Sequence, residues 1–221
     1  MPKPLLAEYF CASCHTPFLN AFPLDSAGLC ALCRQGLTGY DSAFAFGSYE
    51  GVLRELIHLF KYARVRPLAG PFGEMLGRAI PRHLRFDAVT PVPLHWIKRW
   101  RRGFNQSELL AREVARRMGV PVLDALCRAR PTGSQAGLTR AQRRKNVAGA
   151  FTVRRGARVK GLRVLLVDDV LTTGATSGAC AAALKRAGAT YVSMLALGRA
   201  DRRPIWPGAD AGSISNTVGA G

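Results

Sequence analysis

Acidic residues are scarce in this 221-residue chain: 14 Asp and Glu stand against 32 Lys and Arg, a formal net charge of +18. The pI lies near 10.8. Such a chain invites polyanions, nucleic acid or anionic lipid, although a pyrophosphate site is itself basic. No apolar run approaches the roughly 18 residues of a transmembrane span, so stable membrane insertion is not expected. Met1–Glu8 lacks the long apolar core of a signal peptide, which makes the cytoplasm the expected location. No segment ends in Gly-Lys-Ser or Gly-Lys-Thr, as a nucleotide P-loop must, and the dinucleotide-binding glycine fingerprint is missing too. There is no internal repeat. Yet 48% of residues are hydrophobic, enough for one α/β domain plus a small accessory unit.

What is present centres on residues 164–176. Val164-Leu165-Leu166-Val167 is a run of branched apolar residues, suited to a strand covered on both faces of a parallel sheet. Asp168 and Asp169 follow at the strand's end. Then come Val170, Leu171 and a loop of small residues, Thr172, Thr173, Gly174, Ala175 and Thr176. An alanine-rich helix is expected from Ser177 to Leu184, stopping at Gly188. A helix N-terminus offers N–H groups and partial positive charge to an anion. The threonine hydroxyls can donate to phosphate oxygens, and Gly174 permits close approach or positive φ. The two carboxylates repel phosphate but can accept from sugar hydroxyls or hold magnesium. A phosphorylated ribose uses both halves.

Six cysteines divide into a group of four and two singles. Cys11-x-x-Cys14 and Cys30-x-x-Cys33 lie fifteen residues apart, a spacing suited to a tetrahedral four-sulfur zinc site. Such a closed site is structural. His15 is surplus to it. Cys180 reads as a small packed hydrophobe.

Further along, Phe44, Phe46 and Tyr49 suggest a strand, and Val52, Leu53, Leu56, Ile57 and Phe60 line one face of a helix. A second helix over 67–80 is loosened by Gly70, Gly73 and Gly77. Residues 86–90 form a strand that stops at Pro91-Val92-Pro93-Leu94. Lys98, Arg99, Arg101 and Arg102 alternate with Trp96, Trp100 and Phe104. Cations with aromatics can bind phosphates and stack on bases, so this stretch is a candidate nucleic-acid surface; it can equally clamp pyrophosphate or be a basic helix edge. Asn105 and Glu108 suggest a capping box before a helix ending at Gly119. Val120–Leu126 can form a strand. Residues 128–146 lose apolar periodicity and carry Arg140, Arg143 and Lys145, as a basic lid over a polyphosphate would. Strands are expected at 150–153 and 191–197. The stretch 204–221 reads as a disordered tail.

In this order the motifs resemble the ComF/GntX family of phosphoribosyltransferase-like proteins. The matching residues are the four cysteines, Tyr49 with Gly51, Lys61-Tyr62, Pro91–Leu94, Arg102-Gly103-Phe104-Asn105-Gln106, Gln135 with Leu138, Arg143 with Asn146, Phe151, and Asp168–Thr176. The last strand ends in Gly198-Arg199 where the family often has Ala-Arg. The resemblance implies an N-terminal zinc-binding module (residues 1–40) and a type I phosphoribosyltransferase fold (41–203), a mostly parallel sheet flanked by helices. It makes Asp168–Thr176 the ribose-phosphate loop of a PRPP site, places Pro91–Leu94 near the pyrophosphate, and makes 130–146 the flexible loop. It further implies structural zinc, magnesium with PRPP, and a role in uptake of single-stranded DNA, with DNA-uptake helicase or processing proteins as partners. Three functions stay open: an enzyme in which Asp168, Asp169, Arg140, Arg143 and Lys145 act as PRPP's pyrophosphate leaves, including a nucleotide-salvage transferase; a non-enzymatic single-stranded DNA binder; and a PRPP sensor. No residue presents itself as the acceptor's general base.

Overall fold

Val164, Leu165, Leu166 and Val167 are all fully buried, and burying each such side chain is worth about 1.5–3 kcal/mol. That run can be satisfied only where both faces of a strand are covered, and it sits inside a sheet. In the computed structural model, residues 9–18, 21, 24–36, 38–63, 65–94, 103–129 and 149–200 are described. The strands are β1 (Tyr9–Phe10), β2 (Pro17–Phe18), β3 (Ser42–Ser48), β4 (Ala88–Pro91), β5 (Leu126–Arg128), β6 (Phe151–Val153), β7 (Arg163–Leu171) and β8 (Tyr191–Arg199). The α-helices are α1 (Ala31–Arg34), α2 (Gly51–Tyr62), α3 (Ala69–Ala79), α4 (Gln106–Met118) and α5 (Ala175–Arg186); a 3-10 turn at Arg66–Leu68 leads into α3.

The central sheet has four parallel strands in the order β3-β8-β7-β4. Alternation along β7 divides the core. Leu165 and Val167 face a cluster that takes in Ile57, Phe60, Phe72, Leu76, Leu110 and Val114 from α2, α3 and α4. Val164 and Leu166 face Cys180, Ala181 and Leu184 of α5, Leu126 and Phe151 of the β5-β6 hairpin, and Cys11, Cys14, Phe18 and Cys30. The cysteine segment is therefore continuous with the core on the α5 face.

Three details differ from the sequence expectation. β7 runs on to Leu171, so Asp168 and Asp169 lie within the strand rather than beyond it. In 120–126 the ladder is reduced to a bridge between Val122 and Val89, and the next strand, β5, pairs antiparallel with β6 instead of joining the sheet. The Asn105 side chain caps α4 by accepting from the Ser107 N–H, but Glu108 does not complete a box; it pairs with Arg112 at 2.6 Å, one turn on.

Candidate functional site

Parallel strands bring their carboxyl ends to one edge, where open α/β sheets bind ligands. Here that edge holds a cleft of about 230 Å³. One wall is the acidic pair of β7. The floor is the loop Thr172–Gly174 running into α5, and the turn Val92–Leu94 after β4 forms another side. Gly174 sits at φ 73°, the left-handed conformation that glycine adopts without strain, and it brings no side chain to cap α5. An anion can fill the role a capping side chain usually plays.

The acidic pair is held by two neighbouring helices. Ser107 Oγ donates to Asp168 Oδ1 at 2.9 Å, and the Asp169 N–H donates to the same oxygen at 2.9 Å. Lys61 Nζ lies 2.8 Å from Asp169 Oδ1, with both side chains largely buried. Burial, then the charge of Asp169, pushes Asp168 up to about 7. Burial alone would lower Lys61, but the charges of Asp169 and Asp168 outweigh it and hold the ammonium above its usual value. Two residues lace the walls together. Asn105 Nδ2 donates to the Val92 carbonyl at 3.3 Å while its oxygen caps α4, and Gln106 Nε2 donates to the Lys61 carbonyl at 3.3 Å. Arg128, at the end of β5, reaches the cleft with its guanidinium over the Phe151 ring, 5.1 Å from the centroid. Among the described residues its buried Nε has no hydrogen-bond partner.

In the α5-side core the four cysteines converge, their sulfurs all within 4.8 Å of one another. Cys11 and Cys33 are 3.6 Å apart and Cys14 and Cys30 3.8 Å. A disulfide needs about 2.0 Å. A tetrahedron of sulfurs about 2.3 Å from one ion has edges near 3.8 Å, which these separations match. The Cys30 N–H donates to Cys11 Sγ at 3.3 Å, as suits an anionic sulfur. The cluster can hold one tetrahedral metal ion. His15 is exposed and outside it.

Comparison with known proteins agrees with this geometry. Residues 105–204 match the phosphoribosyl transferase domain family. Competence protein F of Haemophilus influenzae is 31% identical, across 77% of this chain and 78% of that protein. DNA utilization protein YhgH of Escherichia coli K12 is 32% identical, across 77% of each. The chain belongs to the competence protein F family. Among solved structures, the glutamine PRPP amidotransferase of B. subtilis aligns with 59% of this chain and 26% of its own, at 29% identity and a TM-score of 0.42. An adenine phosphoribosyl transferase from Trypanosoma brucei aligns with 69% of each chain at 15% identity and a TM-score of 0.43. The family match over residues 105–204 and the parallel sheet give this family member the fold of a type I phosphoribosyltransferase, with a four-cysteine unit at its N-terminal side. Among the described residues no helix is long and apolar enough to cross a membrane.

Within this family member the expected site residues are distributed as follows. Asp168, Asp169, Val170, Thr172, Thr173, Gly174, Ala175 and Thr176 line the cleft with Val92, Pro93 and Leu94. Leu171 instead packs in the α5-side core, and Pro91 is buried in β4, paired with Val167. Lys98, Arg99, Arg101, Arg102, Arg140, Arg143 and Lys145 lie outside the described residues. Phe104, expected as a stacking surface, is only 8% exposed, packed edge-on against Phe60 with Arg66 over its ring. A ring so enclosed has no open face for a base. The parts that Lys61, Gln106 and Ser107 play in the cleft have no local sequence signal, whereas Arg128 opens the basic stretch 128–146 and reaches the cleft from the end of β5. Lys61 and Gln106 stood out only as family motifs, and nothing local pairs Ser107 with a residue 61 positions away.

Proposed function

We propose that this protein binds PRPP with magnesium in the β7–α5 cleft and acts as a phosphoribosyltransferase in the handling of incoming single-stranded DNA. The observation that supports this most is one cleft with the buried Asp169 and the half-buried Asp168 on one wall and a hydroxyl-lined helix N-terminus on the other. A phosphorylated ribose is the ligand that matches both.

In this reading the 5-phosphate rests against Thr172–Thr176 and the ribose hydroxyls donate to Asp168 and Asp169. Asp168 and Asp169 could also hold magnesium, a hard cation that prefers oxygen ligands and would supply positive charge to the pyrophosphate. The chain's own contribution is positioning and charge. Lys61 restrains Asp169, Ser107 orients Asp168, and Arg128 offers a cation to the departing pyrophosphate. Arg140, Arg143 and Lys145, in the segment between β5 and β6, are proposed to add cations. The cysteine cluster is proposed to hold zinc in a structural role. The DNA role draws on the names of the relatives, competence protein F and DNA utilization protein, and on the net charge of +18.

The deciding measurement is calorimetric titration of the wild type and of Asp168→Ala with Asp169→Ala, using PRPP and magnesium. The wild type is expected to bind and the double variant to lose binding. Equal affinity in both would remove the site assignment.

A further inference from the structure

The cysteine cluster and the cleft lie on different sides of the loop before α5, yet two contacts join them. The first runs through Arg199, the last residue of β8. Its guanidinium donates to the Thr172 carbonyl at 2.6 Å and to the Leu171 carbonyl at 3.4 Å. The same guanidinium lies over the Phe18 ring, 4.6 Å from its centroid. Phe18 closes the short β1-β2 hairpin directly after the Cys11–Cys14 knuckle, and Thr16 between them reaches Cys14 Sγ at 3.0 Å and the Tyr40 hydroxyl at 3.4 Å. Arg199 is 6% exposed and Phe18 4%, so water does not compete for this contact.

The second contact is made on α5, one to two turns past the end of the loop. Thr38 Oγ1 lies 3.0 Å from Cys33 Sγ, and Gly39 after it lies flat on α5. A Cβ at Gly39 would stand 2.2 Å from the Gly178 carbonyl oxygen and 2.5 Å from the Ala182 nitrogen. No other residue type permits so close an approach. The chain leaving the cysteine cluster thus abuts the helix whose N-terminus ends the loop.

We propose that the four-cysteine module braces the phosphate-binding loop, with Arg199 as the positioning residue that transmits the restraint. In a trans peptide the C=O and the following N–H point in opposite directions. Holding the Thr172 carbonyl on Arg199 therefore turns the Thr173 N–H away from it and sets the plane on which the loop's donors are built. Preformed donors bind an anion without an ordering cost at each encounter. This assigns the metal-binding module a task within the small-molecule site, and it rests on the reading of Thr172–Thr176 as the phosphate cradle.

The test uses the full chain with its metal. Phe18→Leu keeps an apolar side chain but removes the aromatic face. Arg199→Gln removes the charge, and Arg199→Lys restores a donor without the planar fork. Amide exchange across 171–176 is expected to rise about tenfold in Phe18→Leu and Arg199→Gln, and ribose 5-phosphate affinity to fall about as much, as expected when a charged hydrogen bond to backbone is lost. Arg199→Lys should recover part of both. Metal content and exchange in α4 should stay at wild-type values. Unchanged loop exchange in both Phe18→Leu and Arg199→Gln overturns the brace, as does a rise spread equally over α4, which signals general destabilisation. Should the wild type not bind ribose 5-phosphate, the cradle reading fails, while the exchange data still decide the brace.

Discussion

At the residue scale the most informative group is Asp168. An isolated carboxyl on a surface turn would ionise near 4 and carry no consequence for folding. Buried beside Asp169, this one titrates at about 7. The sign of the pH dependence follows. Between the ordinary value of 3.8 and about 7, the folded protein keeps a proton that the unfolded chain has released. Ligand-free stability therefore falls as pH rises through that window, by up to about 1.4 kcal/mol per pH unit, and levels off above it. Denaturant midpoints from pH 4 to 8 will show this fall, and Asp168→Asn, which never ionises, will flatten it. A wild-type profile with no such fall would place the carboxyl in water. Lys61 matters for the opposite reason: it is the one cation within contact of the pair among the described residues, so it makes the double carboxylate tolerable.

The scale of elements shows glycine used in two ways on one helix. The expectation was that Gly70, Gly73 and Gly77 loosen α3. The structure corrects this for Gly73, which is a crossing point: a Cβ there would stand 2.5 Å from Glu113 Cβ on α4. Gly70 has nothing within 4 Å. Gly73→Ala should therefore cost about 1–3 kcal/mol through overpacking. Gly70→Ala should gain up to about 1 kcal/mol from helix propensity. Equal effects in thermal melts of the two variants would contradict the packing of α3 on α4. The same contact matters for the cleft, because α4 carries Ser107, Gln106 and the Asn105 cap. Asn105→Ala loses the cap and the tie to Val92 together, and about 1 kcal/mol is the expected loss from the cap alone.

For the whole molecule, the cysteine cluster and the charge are the properties that matter. The cluster is part of the α5-side core rather than an appendage, so a metal held there would be coupled to the fold. Elemental analysis is expected to find about one zinc per chain. A folded, metal-free protein would refute the zinc assignment. Affinity for single-stranded DNA should fall steeply as salt is raised, since neutralised phosphates release counterions. A flat salt response would remove the proposed DNA role and leave the PRPP reading in place.

Much of this was legible in local sequence because its physics is local. Four consecutive buried aliphatics demand a covered strand. Paired C-x-x-C knuckles announce a cluster of four sulfurs, and a Thr/Gly loop between strand and helix announces a cleft wall at the sheet's carboxyl edge. Contacts between distant segments leave no periodicity to read. Ser107 meets Asp168 across 61 positions, Lys61 meets Asp169, and Phe18 stacks on Arg199 only because β8 ends beside β7. Phe104 makes the same point in reverse: among basic residues it looks like a stacking ring, and only the packing of α2 against its face shows it to be core. The chain's own order determined which elements form and which chemistry they carry. Tertiary packing decided which carboxylate holds its proton, which cation stands beside it, and that the four-cysteine segment and the Thr172–Gly174 loop share one arginine.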